Sequence, residues 1–211
     1  CGMVGAATAY TLMQHGLFSE MVLVDVDRNR AEGEAMDINH GMTFAAPMDI
    51  NAGSYDDVTD AAIIVVTAGA GQKPGETRLD LVKKNAGILR SIIPEIAKRD
   101  YEGILLIVAN PVDILTHVAQ KMSGLPRNRV FGSGTVLDTA RLKFLLGRHL
   151  DVDKRNIEAY IIGEHGDSEI PVWSSASVGG VSIHDFCEMR GHYDHVASMK
   201  KIAEQVKTSA Y

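Results

Sequence analysis

The feature that most constrains the fold is a set of short apolar runs separated by longer segments with helical periodicity. Two of the runs, residues 61–67 and 104–108, have no polar face, which is typical of strands that are buried on both faces of a parallel sheet. A third run, residues 21–24, ends in Asp25. Because helical patterns alternate with these runs, the sequence predicts right-handed crossovers and a doubly wound α/β sheet.

The spacing of apolar residues predicts five main helices, and Pro94 is expected to kink or end the second of them. These helices cover residues 31–42, 79–98, 112–122, 136–150 and 196–211. After Gly132 the alternation gives way to a long helix, a single strand over residues 157–162 and Gly- and Ser-rich turns. We therefore predict a dinucleotide-binding domain over residues 1–132 and part of an α+β substrate domain over residues 133–211.

Both ends of the sequence interrupt a pattern. The chain opens inside a glycine turn at Cys1-Gly2-Met3-Val4-Gly5 with no strand before it, and it stops within the last helical pattern. Such a turn is expected only where a strand delivers the chain into it. We therefore expect the first strand and the remainder of the second domain to belong to a longer protein.

Charge and composition exclude several classes of protein. The 21 Lys and Arg residues are outnumbered by 27 Asp and Glu residues, so the formal charge is −6 and no basic field exists to attract nucleic acid. No apolar run approaches the roughly 20 residues needed to cross a bilayer. The two cysteines, Cys1 and Cys187, lie at opposite ends of the chain and form no disulfide framework. We expect a cytoplasmic protein with neither nucleic acid nor membrane as partner.

The glycine turn matches the last four positions of the dinucleotide-binding pattern G-x-G-x-x-G. Gly2 would let the backbone approach a pyrophosphate, Gly5 would let the helix pack closely on the sheet, and the helix N-terminus would attract phosphate. Asp25 follows Gly5 by 20 residues at the end of the next strand, where a carboxylate would bind ribose hydroxyls and repel a 2′-phosphate. This spacing favours NAD as cofactor, although a solvent-facing Asp in a strand-end turn is the alternative.

Polar segments follow two of the buried runs. Residues 67–78 form a long Gly-rich connection that carries Gln72 and Arg78, and they would lie at the sheet edge where α/β proteins bind ligands. Such a loop could close over a substrate as a lid, or it could be a flexible surface loop with a solvated arginine. Asn110-Pro111 ends the run 104–108 at the same edge, and the alternative for this pair is a simple turn.

Three residues of the second half suggest acid–base chemistry. Asp138 and Arg141 are three residues apart in an apolar helix, so they share a face and would be costly to bury without a partner. His165 stands between two glycines at a strand end, where a carboxylate on one ring nitrogen would help it hold and deliver a proton. No second His or Cys lies at ligand spacing, so no metal site is predicted.

Several long motifs in the chain resemble the lactate/malate dehydrogenase family, and within it the bacterial L-lactate dehydrogenases. The matching segments are CGMVG, LVDVD, AMDINHG, TAGAGQKPGETRLDLV, VANPVDILT, GSGTVLDTARLKFLLG and IIGEHGDSEIPVWS. The resemblance implies a Rossmann NAD-binding domain and a homotetramer that transfers hydride reversibly between NADH and pyruvate.

The resemblance also implies a role for each matching residue. His165 would exchange the proton with the substrate, and Asp138 would orient the imidazole of His165. Arg141 would bind the substrate carboxylate, and Arg78 would polarise the substrate carbonyl. Asn110 would help to position the substrate and the nicotinamide. Asp25 would bind the adenosine ribose. Further positions that match the family's NAD site are Gly2, Val4, Gly5, Arg30, Tyr55, Gly69, Ala70, Ser91, Ala109 and Ser133.

Substrate preference and regulation depend on three further positions. Malate dehydrogenases of this family carry Arg where this chain has Gln72, so a second substrate carboxylate would be unpaired and pyruvate is favoured over oxaloacetate. Relatives activated by fructose 1,6-bisphosphate usually carry Arg and His where this chain has Lys143 and Glu158, so we expect weak or absent activation. The alternatives are a malate or other 2-hydroxyacid dehydrogenase and a non-catalytic NAD-binding protein.

Overall fold

The structure is a computed structural model that describes residues 1–209. The chain divides into two compact units, one over residues 1–132 and one that begins at Ser133. Ala210 and Tyr211, the end of the last predicted helix, lie outside the described residues.

The first unit alternates helices and strands along the chain. The helices are α1 (Met3–His15), α2 (Arg28–Gly41), α3 (Arg78–Ala97) and α4 (Val112–Ser123). The strands are β1 (Glu20–Leu23), β2 (Asp49–Ala52), β3 (Ile63–Val66), β4 (Ile104–Ile107) and β5 (Val130–Gly132). The three predicted strands are present. Strand β1 is shifted by one residue from the predicted range 21–24, and β3 and β4 are shorter than predicted by three residues and one residue. Strands β2 and β5 were not predicted.

Every strand pairing in the described part of this unit is parallel. Strand β1 pairs with β2, and β3, β4 and β5 form a second sheet in that order. The prediction was one continuous doubly wound sheet. It is divided into two sheets because, among the described residues, no strand bridges β1 and β3.

Each sheet of the first unit has its own apolar core. The core beside β3 to β5 contains fully buried side chains from α3, α4 and β4, including Leu89, Ile93, Leu105 and Leu115. Pro94 lies within α3 and does not end it, because the helix continues to Ala97. Of the two outcomes predicted for this proline, the end of the helix is excluded, and a kink stays a prediction.

The second unit is built around one long helix. Its helices are α5 (Val136–Leu150), α6 (Ile183–Met189) and α7 (His195–Thr208). Its strands are β6 (Ile157–Glu158), β7 (Ile161–Ile162), β8 (Ile170–Pro171), β9 (Ser177–Val178) and β10 (Val181–Ser182). All of its pairings are antiparallel within the described residues, with β6–β9–β10 in one sheet and β7–β8 in another.

The predicted strand over residues 157–162 is split in two. Ile157 pairs in one sheet and Ile161 in the other, so the chain changes partners between them. Both side chains are buried in one core together with Leu142 and Leu146 of α5. The fold class predicted from the sequence, a parallel α/β unit followed by part of an α+β unit, is confirmed. No helix of residues 1–209 has the length and apolar character to cross a bilayer.

Candidate active site

In the second unit, the hairpin that carries His165 is fastened to α5. Strands β7 and β8 are antiparallel and joined by residues 163–169, and Gly163 has a φ of 95° that favours glycine. The Thr135 hydroxyl donates to the carbonyl of Ile161 at 2.6 Å, and the amide of Ile161 donates to the Thr139 hydroxyl oxygen at 3.0 Å. These two bonds fix the start of the hairpin against the first turn of the helix.

This attachment brings three predicted residues together. The Asp138 carboxylate is 2% exposed, and one of its oxygens lies 2.5 Å from the His165 Nδ1. Its other oxygen accepts a hydrogen bond of 3.1 Å from the Arg141 guanidinium. A buried carboxylate that holds Nδ1 leaves Nε2 of the imidazole as the nitrogen that can give or take a proton.

Glu169 is a functional candidate that sequence reasoning missed. It is 3% exposed. One of its carboxylate oxygens, one carboxylate oxygen of Asp138 and one ring nitrogen of His165 all lie within 4.8 Å of one another. Burial and the Asp138 charge raise the pKa of Glu169 above its ordinary value, against the opposing effect of His165 and Lys207. The only sequence signal was its place directly before the apolar pair Ile170–Pro171.

The cluster of Asp138, His165 and Glu169 has the donor types that a divalent cation would use. However, both Asp138 oxygens already face donors, and the Arg141 guanidinium lies 3.1 Å from one of them. A second cation at that place would be repelled by the arginine. The absence of a metal site stays a prediction.

In the first unit, the glycine turn lies beside Asp25. The Cys1 nitrogen lies 2.8 Å from the Asp25 carboxylate, which accepts a hydrogen bond of 3.0 Å from the Asp27 amide. A Cβ added to Gly5 would lie 2.8 Å from the Thr67 hydroxyl, whereas one added to Gly2 would meet nothing within 4 Å. Gly5 thus permits close packing of α1.

Asn85 of α3 connects two of the predicted cofactor segments. Its side chain is 1% exposed and donates to the carbonyls of Ala70 at 3.1 Å and of Asn110 at 2.6 Å, while its oxygen accepts from the Ala70 amide at 2.8 Å. A Cβ on Gly69 would lie 3.2 Å from the Ala109 side chain. The strand ends after β3 and β4 are therefore held together as predicted for a ligand-binding edge, through a residue that the prediction overlooked.

Asn85 could have been found from the sequence. It stands four residues before Leu89 and eight before Ile93, on the apolar face of α3. A polar side chain at a core position needs hydrogen-bond partners, so this position signals a buried polar link.

The connection over residues 67–78 is organised by Glu76. The Glu76 backbone carbonyl accepts a hydrogen bond of 2.7 Å from the side-chain amide of Gln72. The Glu76 carboxylate accepts a hydrogen bond of 2.8 Å from the backbone amide of Lys73. Thr77 caps α3 through a reciprocal bond with Asp80. Arg78 is thus the first residue of a helix and not part of the loop itself.

The remaining predicted cofactor residues are spread over the first unit, except for Ser133. Arg30 is exposed on α2, and its positive charge favours the ionised form of the Asp25 carboxylate. The Tyr55 ring lies 5.7 Å beneath the Arg99 guanidinium. Val4 is 55% exposed, the Ser91 hydroxyl donates to the Ile88 carbonyl, and Ser133 precedes α5 in the second unit.

Lys143 and Glu158 are paired in the second unit. The Lys143 ammonium lies 3.8 Å from the Glu158 carboxylate, which also accepts a hydrogen bond of 3.0 Å from the Tyr160 hydroxyl. That bond raises the pKa of Tyr160. The lysine charge therefore has an acidic neighbour that would repel an added phosphate.

The first unit is a parallel α/β unit with a glycine turn and a strand-end carboxylate, and the second is an α/β unit with a buried acid–histidine pair. This combination is typical of two-domain proteins of the dinucleotide-binding type. Comparison with known proteins agrees. The profile of the lactate/malate dehydrogenase NAD binding domain matches residues 1–132, and that of the lactate/malate dehydrogenase alpha/beta C-terminal domain matches residues 135–211. The chain belongs to the lactate/malate dehydrogenase family, and the predicted Rossmann NAD-binding fold is confirmed.

Curated relatives and solved structures are similar over essentially the whole chain. The L-lactate dehydrogenases of Acetivibrio thermocellus and Priestia megaterium are 52% and 51% identical over 210 residues. A lactate dehydrogenase from a Medee basin deep-sea metagenome library has a TM-score of 0.93 at 46% identity, covering 100% of this chain and 67% of that one. The chain spans 66% of the length of these two curated relatives.

Proposed function

We propose that the protein containing this chain is an NAD-dependent L-lactate dehydrogenase, which reduces pyruvate to (S)-lactate and catalyses the reverse reaction. The observation that carries the proposal is the buried Asp138 carboxylate, which bonds the His165 imidazole on one side and the Arg141 guanidinium on the other. The names of the relatives, at about half identity across the chain, support the same activity.

The residues of the first unit fit NAD as the cofactor. Gly2 would let a pyrophosphate approach the backbone, and the oxygens of Asp25 suit ribose hydroxyls while repelling a 2′-phosphate. Val4, Gly5, Arg30, Tyr55, Gly69, Ala70, Ser91, Ala109, Asn110 and Ser133 are proposed to line the rest of the cofactor site. When bound, NADH supplies the hydride that reduces the carbonyl carbon.

The protein residues supply charge and the proton. Arg141 pairs with the substrate carboxylate, for which a guanidinium offers a planar, bidentate donor set. Arg78 polarises the carbonyl and stabilises the negative charge that develops on its oxygen. His165 donates its Nε2 proton to that oxygen, and Asp138 stabilises the imidazolium before transfer. Asn110 helps to orient the substrate and the nicotinamide.

Gln72 sets the preference for pyruvate. Its amide is neutral, so a second carboxylate in oxaloacetate would lose hydration without gaining a counter-charge. This favours L-lactate dehydrogenase over the malate dehydrogenase alternative. From the family resemblance we also propose a cytoplasmic homotetramer, which sedimentation of the full-length protein would test.

The direct test of the activity is a panel of 2-oxo acids with NADH. Full-length protein is mixed with NADH and pyruvate, oxaloacetate or a longer 2-oxo acid, and the loss of NADH absorbance is followed. We expect pyruvate to give the highest kcat/KM. Binding of NADH without oxidation by any of these acids would instead support the non-catalytic alternative.

A further inference from the structure

Glu169 is a buried acid that the proposed reaction does not use. It is 3% exposed, and its Oε1 is buried without a hydrogen-bond partner among the described residues. An unpaired buried carboxylate is costly, so a side chain in this position either takes up a proton or has a partner. The available partner is the Asp138–His165 pair beside it.

The charges around Glu169 come from three elements. Asp138 of α5 raises its pKa, whereas His165 of the hairpin and Lys207 of α7 lower it. The Lys207 ammonium donates to the Asp167 carbonyl at 3.1 Å. Burial is the largest influence, and it favours the neutral acid.

Two carboxyl groups that are buried side by side cannot both ionise without a large cost in electrostatic free energy, so one of them keeps a proton. The Asp138 oxygens already face the Arg141 guanidinium and the His165 ring nitrogen. Glu169 has no comparable cation within hydrogen-bonding distance in the described contacts. The shared proton therefore belongs on Glu169.

We propose that Glu169 is a positioning residue that stays protonated in the resting enzyme and donates a hydrogen bond to Asp138, so that a single negative charge faces the His165 imidazole. The proposal rests on the proposed function only for its effect on turnover. With two ionised acids beside it, the imidazolium would be held too firmly to release its proton to the substrate. With one, the imidazole can both give a proton to the substrate and take it back in the reverse reaction.

Two substitutions separate this role from plain packing. Glu169→Gln keeps the shape, the neutral charge and a donor toward Asp138, whereas Glu169→Met keeps the volume and removes the donor. The His165 titration, followed by NMR of an isotope-labelled imidazole in the full-length protein, is expected to stay within about 0.3 pH unit of the parent in Glu169→Gln. In Glu169→Met it should rise by roughly one pH unit, because Asp138 loses a donor and attracts the imidazolium more strongly. The pH profile of kcat/KM for pyruvate should follow the same order.

The protonated acid can also be observed directly. Infrared spectra of the parent at neutral pH should contain the carbonyl band of a buried carboxylic acid, and both variants should lack it. A parent without that band, a downward shift of the His165 titration in Glu169→Gln, or a Glu169→Met variant that titrates like the parent would each overturn the proposal. Stoichiometric zinc binding that Glu169→Gln abolishes would overturn it as well, since the cluster would then be a metal site.

The infrared and NMR measurements need no turnover. If the band and the titration behave as expected while no 2-oxo acid is reduced, the proposed activity fails and the protonation of Glu169 stands. If pyruvate is reduced but the band is missing, only the role of Glu169 fails.

Discussion

At the scale of single residues, we propose that the side-chain amide of Gln72 determines which 2-oxo acid is reduced. Its Nε2 donates to the carbonyl of Glu76, so it contributes hydrogen bonding but no charge at its position in the loop. We predict that Gln72→Arg raises the ratio of kcat/KM for oxaloacetate to that for pyruvate by about 10²-fold or more, because a second carboxylate gains a counter-charge.

The matched control is Gln72→Met, which is neutral and similar in length. It should leave the preference for pyruvate in place while changing the loop contact with Glu76. Both ratios are measured from initial rates of NADH oxidation, and an unchanged ratio in Gln72→Arg would count against the role of this position.

The contacts of a site residue could be predicted where residues close to it in the sequence form its surroundings. Asp138 and Arg141 share a helix face by spacing alone, and their contact of 3.1 Å follows from it. Glu169 was missed because its burial depends on the packing of α5 and α7 against the hairpin, which no local pattern encodes. The roles of all these residues stay predictions.

At the scale of elements, α3 does more than cover a sheet. Through Asn85 it fixes the backbone of Ala70 and Asn110, which follow β3 and β4. Replacing Asn85 by Leu leaves both carbonyls without their donor, and each buried carbonyl without a partner costs about 1–3 kcal/mol. We predict a lower thermal midpoint and weaker NADH binding for Asn85→Leu.

Thermal unfolding and NADH fluorescence of the full-length protein measure the two effects. Lys83→Ala, at an exposed position of the same helix, is the control and should change neither. An Asn85→Leu variant with the NADH affinity of the parent would show that the link does not shape the cofactor site.

Element types were predictable because the apolar runs and helical periods are local, and the predicted α5 bounds agree with the observed Val136–Leu150. Long-range pairing was not. Whether Ile157 and Ile161 join one strand or two sheets depends on partners ten or more residues away. Pro94 does not end α3, because a helix that is packed against a sheet tolerates one missing hydrogen bond.

At the scale of the whole molecule, the Lys143–Glu158 pair predicts a lack of regulation by sugar bisphosphates. The lysine already has a carboxylate at 3.8 Å, and that carboxylate would repel a phosphate. We expect fructose 1,6-bisphosphate to leave the pyruvate saturation curve of the full-length protein unchanged. The double variant Lys143→Arg, Glu158→His should gain a response, and a strong shift of the curve in the parent would refute the prediction.

Stability should depend on pH through Glu169. Burial and Asp138 raise its pKa in the folded protein above the ordinary value of 4.5, so the folded state binds this proton more tightly than the unfolded state. The stabilisation is fully present below 4.5 and is lost as pH rises through the folded-state pKa.

Glu169→Gln cannot ionise and escapes this loss. We therefore predict that the thermal midpoint of the variant, relative to the parent, rises steadily as pH increases from 4.5. Scanning calorimetry at several pH values provides the comparison. A difference that is constant with pH would mean that the Glu169 pKa is not raised.

The central claim is that His165, held by Asp138, gives the proton that completes the reduction of pyruvate. The most direct measurement is single-turnover oxidation of NADH by pyruvate in full-length protein, comparing the parent with His165→Gln and with NADH binding as the control. The account predicts that the variant binds NADH as the parent does and reacts about 10²–10⁴-fold more slowly. A variant that oxidises NADH at the parental rate would contradict it.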